Sequence, residues 1–172
     1  PPRSTLFPYT TLFRSKGVVY LRLSCLYNRM GQLENSFDAV KTSYALFLRA
    51  NEMTDAAFVA NYTGYKYWRI SRYDSALVYY RTALDIREEI GDKRSIALTS
   101  NNIGVLYYQW GDYQNALEYY MKAMRLYDES GSQNGVSLTM VSIGKTYKDL
   151  GKTEESLGYF NRSLAISRKN GH

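Results

Sequence analysis

A spacing of forty residues constrains this chain more than any other feature. Tyr27, Tyr67, Tyr107 and Tyr147 form one column at that interval. Ser24, Gly64, Gly104 and Gly144 form a column of small residues, and Gly31, Ser71, Gly111 and Gly151 mark a break. Beyond the break come Ser36, Ala76, Ala116 and Ser156, then Val40, Tyr80, Tyr120 and Phe160, then Ser43, Ala83, Ala123 and Ser163. A pattern that returns at a fixed interval folds as stacked copies of one supersecondary unit, each copy covering the apolar face of the last.

The stretch from Ala97 to Asn134 shows what the unit is. Ile103, Gly104 and Tyr107 fall on one helical stripe, Gly111, Asp112 and Tyr113 interrupt it, and Ala116, Tyr120 and Ala123 resume on a second stripe. Small residues opposite large ones let two antiparallel helices approach closely, so the alternation is a packing code. Gly91 followed by Asp92, and Gly111 followed by Asp112, have the form of a C-cap glycine leading into an N-cap aspartate. The pattern predicts eight helices, near residues 17–30, 33–50, 54–70, 73–90, 93–110, 113–130, 133–150 and 153–169, in repeats of about 17–56, 57–96, 97–136 and 137–172.

Residues 1–15, PPRSTLFPYTTLFRS, match codon for codon the translation of a common short-read sequencing adapter and are read as a non-native segment, with the array running over 16–172. All three prolines fall inside that segment, so the array itself carries no helix breaker of that kind. Setting aside Arg3 and Arg14 leaves 20 basic against 16 acidic residues, a charge of +4 in place of +6, and the excess is then too mild to point to nucleic acid. Cys25 is the single cysteine, which excludes an internal disulfide. No apolar run is long enough to span a bilayer. Both ends read as cut: the array opens directly on a helix and stops at Gly171 and His172, where Gly91 and Gly131 stand in earlier repeats. A fragment of a longer chain is expected, with any membrane contact confined to the missing flanks and self-association open to the uncapped ends.

The columns resemble the tetratricopeptide repeat, with a small residue at position eight, tyrosine at eleven, alanine at twenty, an aromatic at twenty-four and alanine at twenty-seven. The resemblance covers residues 17–170, and the forty-residue unit is similar to arrays in bacterial sensor histidine kinases, related regulators and kinesin light chains. It implies an all-α, right-handed superhelical solenoid of four antiparallel helix pairs. It also implies a groove, lined by the first helices, that holds an extended peptide or a partner's helix. By position the groove would display Leu21, Arg22, Cys25, Asn28 and Arg29, then Asn61, Tyr62, Tyr65, Trp68 and Arg69. The third repeat would add Asn101, Asn102, Val105, Tyr108 and Gln109, and the fourth Val141, Ser142, Lys145, Lys148 and Asp149. Asn102 matches the asparagine that bonds a peptide backbone in long-unit arrays, although Arg22, Tyr62 and Ser142 at the equivalent positions do not repeat it. The basic positions do not reproduce the family's carboxylate clamp.

Of the 17 tyrosines outside the adapter segment, most belong to packing columns. Tyr62, Tyr65, Trp68 and Tyr108 lie off those columns and are read as exposed anchors for a partner. Arg69, Lys145 and Lys148 point to an acidic or carboxylate-bearing partner, against the alternative of a solvated basic face. The sequences Gly144-Lys145-Thr146 and Gly151-Lys152-Thr153 imitate phosphate loops but have Thr139 and Thr146 in place of the upstream glycine, and no strand precedes them. Glu88 with Glu89, and Glu154 with Glu155, are helix neighbours that diverge and make poor acid/base pairs. His172, the single histidine, leaves a histidine-based site without parts. No metal, cofactor or catalysis is expected. Single-stranded nucleic acid ranks lower, because Arg81, Arg87, Lys122, Arg125 and Arg168 are scattered over the second helices. The expected function is a peptide- or protein-binding scaffold in the sensory or regulatory part of a bacterial signalling protein, with a structural spacer as the alternative.

Overall fold

In a computed structural model, residues 6–169 are described, with side chains from Tyr9 onward. Eight helices follow one another: α1 (Leu6–Arg29), α2 (Leu33–Arg49), α3 (Met53–Arg69), α4 (Tyr73–Ile90), α5 (Lys93–Gln109), α6 (Tyr113–Glu129), α7 (Gln133–Asp149) and α8 (Thr153–Lys169). They pack as four antiparallel pairs, α1 with α2, α3 with α4, α5 with α6 and α7 with α8. The chain forms two compact units, Pro1–Ile86 and Arg87–His172.

The turns explain why the boundaries fall where they do. Each first helix ends with its column tyrosine accepting a backbone bond across the turn. Gln32 N–H donates to Tyr27 at 2.9 Å, and Arg72, Asp112 and Lys152 donate to Tyr67, Tyr107 and Tyr147, each at 2.9 Å. The residue between, Gly31, Gly111 or Gly151, sits at φ 74, 76 and 75°, where glycine has no Cβ to clash. Ser71 adopts the same left-handed conformation at φ 57° without that freedom. Asp92 and Asp112 then cap the next helices, accepting from the backbone of Ser95 at 3.2 Å and Asn115 at 3.1 Å.

Small against large holds within the pairs. A Cβ added to Gly64 would lie 2.6 Å from the ring of Tyr80, one on Gly104 2.7 Å from Tyr120, and one on Gly144 2.9 Å from Phe160. In the first pair the small residues are joined by oxygen: Ser36 Oγ donates to the Ser24 carbonyl at 2.6 Å. In the second unit the joint between α6 and α7 uses the same device, since a Cβ on Gly135 would meet the Tyr127 ring at 2.5 Å. Ala116 is fully buried in a cluster with Leu117, Tyr120 and Ile143, whereas Gln114 is exposed. Ala116→Leu is therefore expected to overfill this contact and cost about 1 to 3 kcal/mol, while Gln114→Leu leaves urea unfolding nearly unchanged. Equal shifts for the two would refute the register.

One expectation needs correction. The first helix starts at Leu6 rather than near residue 17, so most of the segment set aside as adapter-derived is helical. Pro8 lies in the first turn, where its missing N–H has no helical partner to lose, and the helix continues through Gly17 to Arg29. Within that extension Arg14 lies 3.4 Å from Glu52 and 3.7 Å from Asp55, and Arg49 sits 4.7 Å above the Phe13 ring. Arg87, one of the basic residues spread over the second helices, is 5% exposed. It donates to the Ser95 carbonyl at 3.0 Å and to Thr99 Oγ1, occupying the position that Tyr127 fills one repeat later.

Candidate functional site

In the first unit the predicted residues of α1 and α3 are brought side by side. Cys25 Sγ lies 3.6 Å from Tyr62 Oη, and Tyr62 also packs against the cluster of Val40, Phe47, Ala56 and Val59. Burial, followed by the bond to Cys25, pushes the Tyr62 hydroxyl up to about 12. Tyr65 is 42% exposed and stacks on Trp68, with ring centroids 5.9 Å apart. Arg22, Arg29 and Arg69 are exposed, while Asn28 and Asn61 are half-buried.

A cleft of about 100 Å³ gathers Asn28, Tyr62, Tyr65 and Arg69 from the predicted set and adds Leu33 and Phe37 of α2, Ile70, and a residue that sequence reasoning missed, Lys66. Lys66 is 5% exposed. Its ammonium donates to Ser36 Oγ and lies 4.8 Å from the Phe37 ring centre and 5.7 Å from that of Tyr62. Burial lowers its pKa from the ordinary lysine value. Part of the signal was available in the column Leu26, Lys66, Leu106 and Thr146, where Leu106 and Thr146 are wholly buried although Leu26 is 52% exposed.

In the second unit α5 and α7 pack together. Asn101 Oδ1 accepts from Thr139 Oγ1 at 3.5 Å, and Asn102 and Val105 are half-buried beside it on α5. Tyr108 donates to Asp149 Oδ2, a bond that raises the phenol to about 12 because ionisation would place a second negative charge against the carboxylate. Val141 and Ser142 are half-buried, and Gln109, Lys145 and Lys148 are exposed.

The expectation that four off-column aromatics stand exposed as anchors is thus corrected. Tyr65 alone of the four is exposed. Tyr62 and Tyr108 are engaged by α1 and α7, and Trp68 is half-buried with its Nε1 shielded from solvent. For Tyr62 and Tyr108 the reason is the stacking of first helices within each unit, which turns residues expected to face solvent toward their neighbours. Among the described residues no group of three metal-ligating side chains converges, and no helix is long and apolar enough to cross a membrane.

Helix pairs repeated at fixed register, with side chains of successive first helices meeting on one face within each unit, define a helical-repeat scaffold. The tetratricopeptide repeat family model matches residues 55–129 and 95–169, and the chain belongs to that family. A search of curated proteins returns no match. Among solved structures, the fold is similar to aspartyl phosphate phosphatase F from Bacillus subtilis, at 20% identity over 91% of this chain and 41% of that one, TM-score 0.83. It is similar to the Rap conjugation gene regulator of the plasmid pLS20 in complex with a Phr peptide, at 20% identity over 91% and 43%, TM-score 0.74. It is also similar to BtubC (BKLC) from P. vanneervenii, at 21% identity over 91% and 65%, TM-score 0.79. The chain spans between about two fifths and two thirds of the length of these proteins.

Proposed function

We propose that the chain is a recognition module that binds a peptide segment or a partner's helix, performs no catalysis itself, and serves the regulatory part of a bacterial signalling protein. The observation that carries this reading is the first unit's exposed Tyr65, stacked on Trp68 and bordering a cleft that also holds Tyr62, Lys66 and Arg69. Rigid aromatic surface next to fixed polar groups gives contact area with little side-chain entropy lost. The similarity to a Rap regulator solved with a peptide supports the same class of ligand. Asn101 and Asn102 offer amide groups for a peptide backbone in the second unit.

Peptides selected from a random library displayed against the full chain are the probe. Tyr65→Ala, Trp68→Ala and Asn102→Ala should each weaken the selected peptides by about tenfold or more, the effect of losing a hot-spot side chain of some 2 kcal/mol. Unchanged affinity in all three would refute the reading. A second reading, self-association, is favoured by the exposed Leu157 and Leu164 on α8. Light scattering on Leu157→Glu with Leu164→Lys would detect it as a loss of mass.

A further inference from the structure

Lys66 is a nearly buried cation whose direct contacts are a hydroxyl and two aromatic rings, and the charged group beside it, Arg69, is a second cation. Ser36 Oγ receives one of its protons, and the rings of Phe37 and Tyr62 flank it, but among the described residues no carboxylate forms an ion pair with it. Two serines serve this node: Ser24 stands where the other pairs have glycine, Ser36 stands where the second and third pairs have alanine, and their hydroxyls lie 3.2 Å apart. Arg69, a second cation without an ion pair among the described residues, lines the same cleft, and no acidic side chain does. A buried charge without its counter-charge is strongly unfavourable, and an anion entering the cleft would relieve it.

We propose that the cleft between the α1–α2 turn and the end of α3 is a carboxylate-binding subsite, in which Lys66 and Arg69 hold one carboxylate while Tyr65 and Phe37 cover its carbon. Depressed basicity of the lysine fits, because the present surroundings disfavour its charged form and a bound anion would favour it. The small volume and a single buried donor suit a planar, singly charged oxyanion better than a dianionic phosphate. The inference rests on the peptide-binding reading and names the group of the peptide that this cleft takes.

The test is a titration of the full chain, followed by nuclear magnetic resonance of the Lys66 ammonium and the Tyr62 ring. N-acetylglutamate α-amide serves as a side-chain carboxylate, N-acetylalanine as a chain-terminal one and N-acetylglutamine α-amide as the neutral control. A saturable shift with either acid and none with the amide is expected, and the responding acid tells side chain from terminus. Lys66→Met and Arg69→Gln should each weaken that binding by about tenfold, the loss of one charge-assisted bond, while Arg29→Gln, outside the cleft, should not. Arg69 is exposed, so its variant keeps the test valid if Lys66→Met alters the fold. An equal response to the neutral amide, binding of inorganic phosphate alone, or unchanged affinity in both variants would overturn the proposal. Peptide capture without dependence on an acidic group would overturn this inference alone. Carboxylate binding without peptide capture would overturn the peptide-binding reading instead.

Discussion

Tyr120→Ala is expected to destabilise the fold by about 3 to 5 kcal/mol, the range for emptying an aromatic site in a core. Tyr120 is 2% exposed and packs with Ala116, Leu117 and Ile143 while its ring lies on the backbone of Gly104. Its neighbour Tyr119 is half-buried and stacks on Tyr107 with centroids 5.5 Å apart, so Tyr119→Ala should cost closer to 1 kcal/mol. The close approach also predicts a coupling. Gly104→Ala alone would push a Cβ into the Tyr120 ring and cost about 1 to 3 kcal/mol. In the Tyr120→Ala background the ring is gone, and alanine's better helix propensity, worth about 1 kcal/mol over glycine, should make the same change neutral or stabilising. A double-mutant cycle by urea unfolding measures this directly. Additive effects would mean that Gly104 and Tyr120 do not share one contact.

That contact was legible in the sequence because two rules agreed on it. Helical spacing put Gly104 and Tyr120 on facing stripes, and the forty-residue period reproduced the pair as Gly64 with Tyr80 and Gly144 with Phe160. The helix ends were legible for a local reason as well: a glycine able to take positive φ, followed in two turns by an aspartate able to cap, confines each boundary to a few residues. Features set by the offset between neighbouring repeats were harder to see. Tyr108 and Asp149 lie 41 residues apart, one more than the period, so no column contains both. Lys66 reads as a solvated base on any helical wheel, and its burial becomes visible only when Leu106 and Thr146 are set in its column. The start of α1 at Leu6 has a local basis that resemblance to an adapter does not touch: after Pro8 no residue up to Lys16 is a proline or a glycine. Arg87 is buried by Ser95 and Thr99, whose small polar side chains and backbone accept its protons where Tyr127 meets Gly135 in the next repeat.

The chain should unfold steeply in alkali, because its tyrosines keep their protons longer folded than unfolded. Burial raises Tyr44, Tyr79, Tyr80, Tyr120 and Tyr127, and Tyr62 and Tyr108 are pushed up to about 12, the last chiefly by its bond to Asp149. Above the ordinary tyrosine value of about 10, the unfolded chain loses these protons while the folded chain retains them. Stability then falls with rising pH, and the losses from several tyrosines accumulate between about pH 10 and 12. Lys66 acts with the opposite sign. Its lowered pKa means that the folded chain sheds the proton first, so stability rises with pH in the window just below the ordinary lysine value. The expected profile is a shallow rise toward pH 10 followed by a steep fall, read as urea midpoints alongside the ultraviolet absorbance of tyrosinate. Lys66→Met should remove the rise and leave the fall. Asp149→Asn should return Tyr108 toward ordinary behaviour, since the negative charge beside the phenol is gone, and so soften the fall without touching the buried rings. Tyrosines that all titrate near 10 in a chain still folded would show that the packing columns are open to solvent and refute the account of how the repeats hold together.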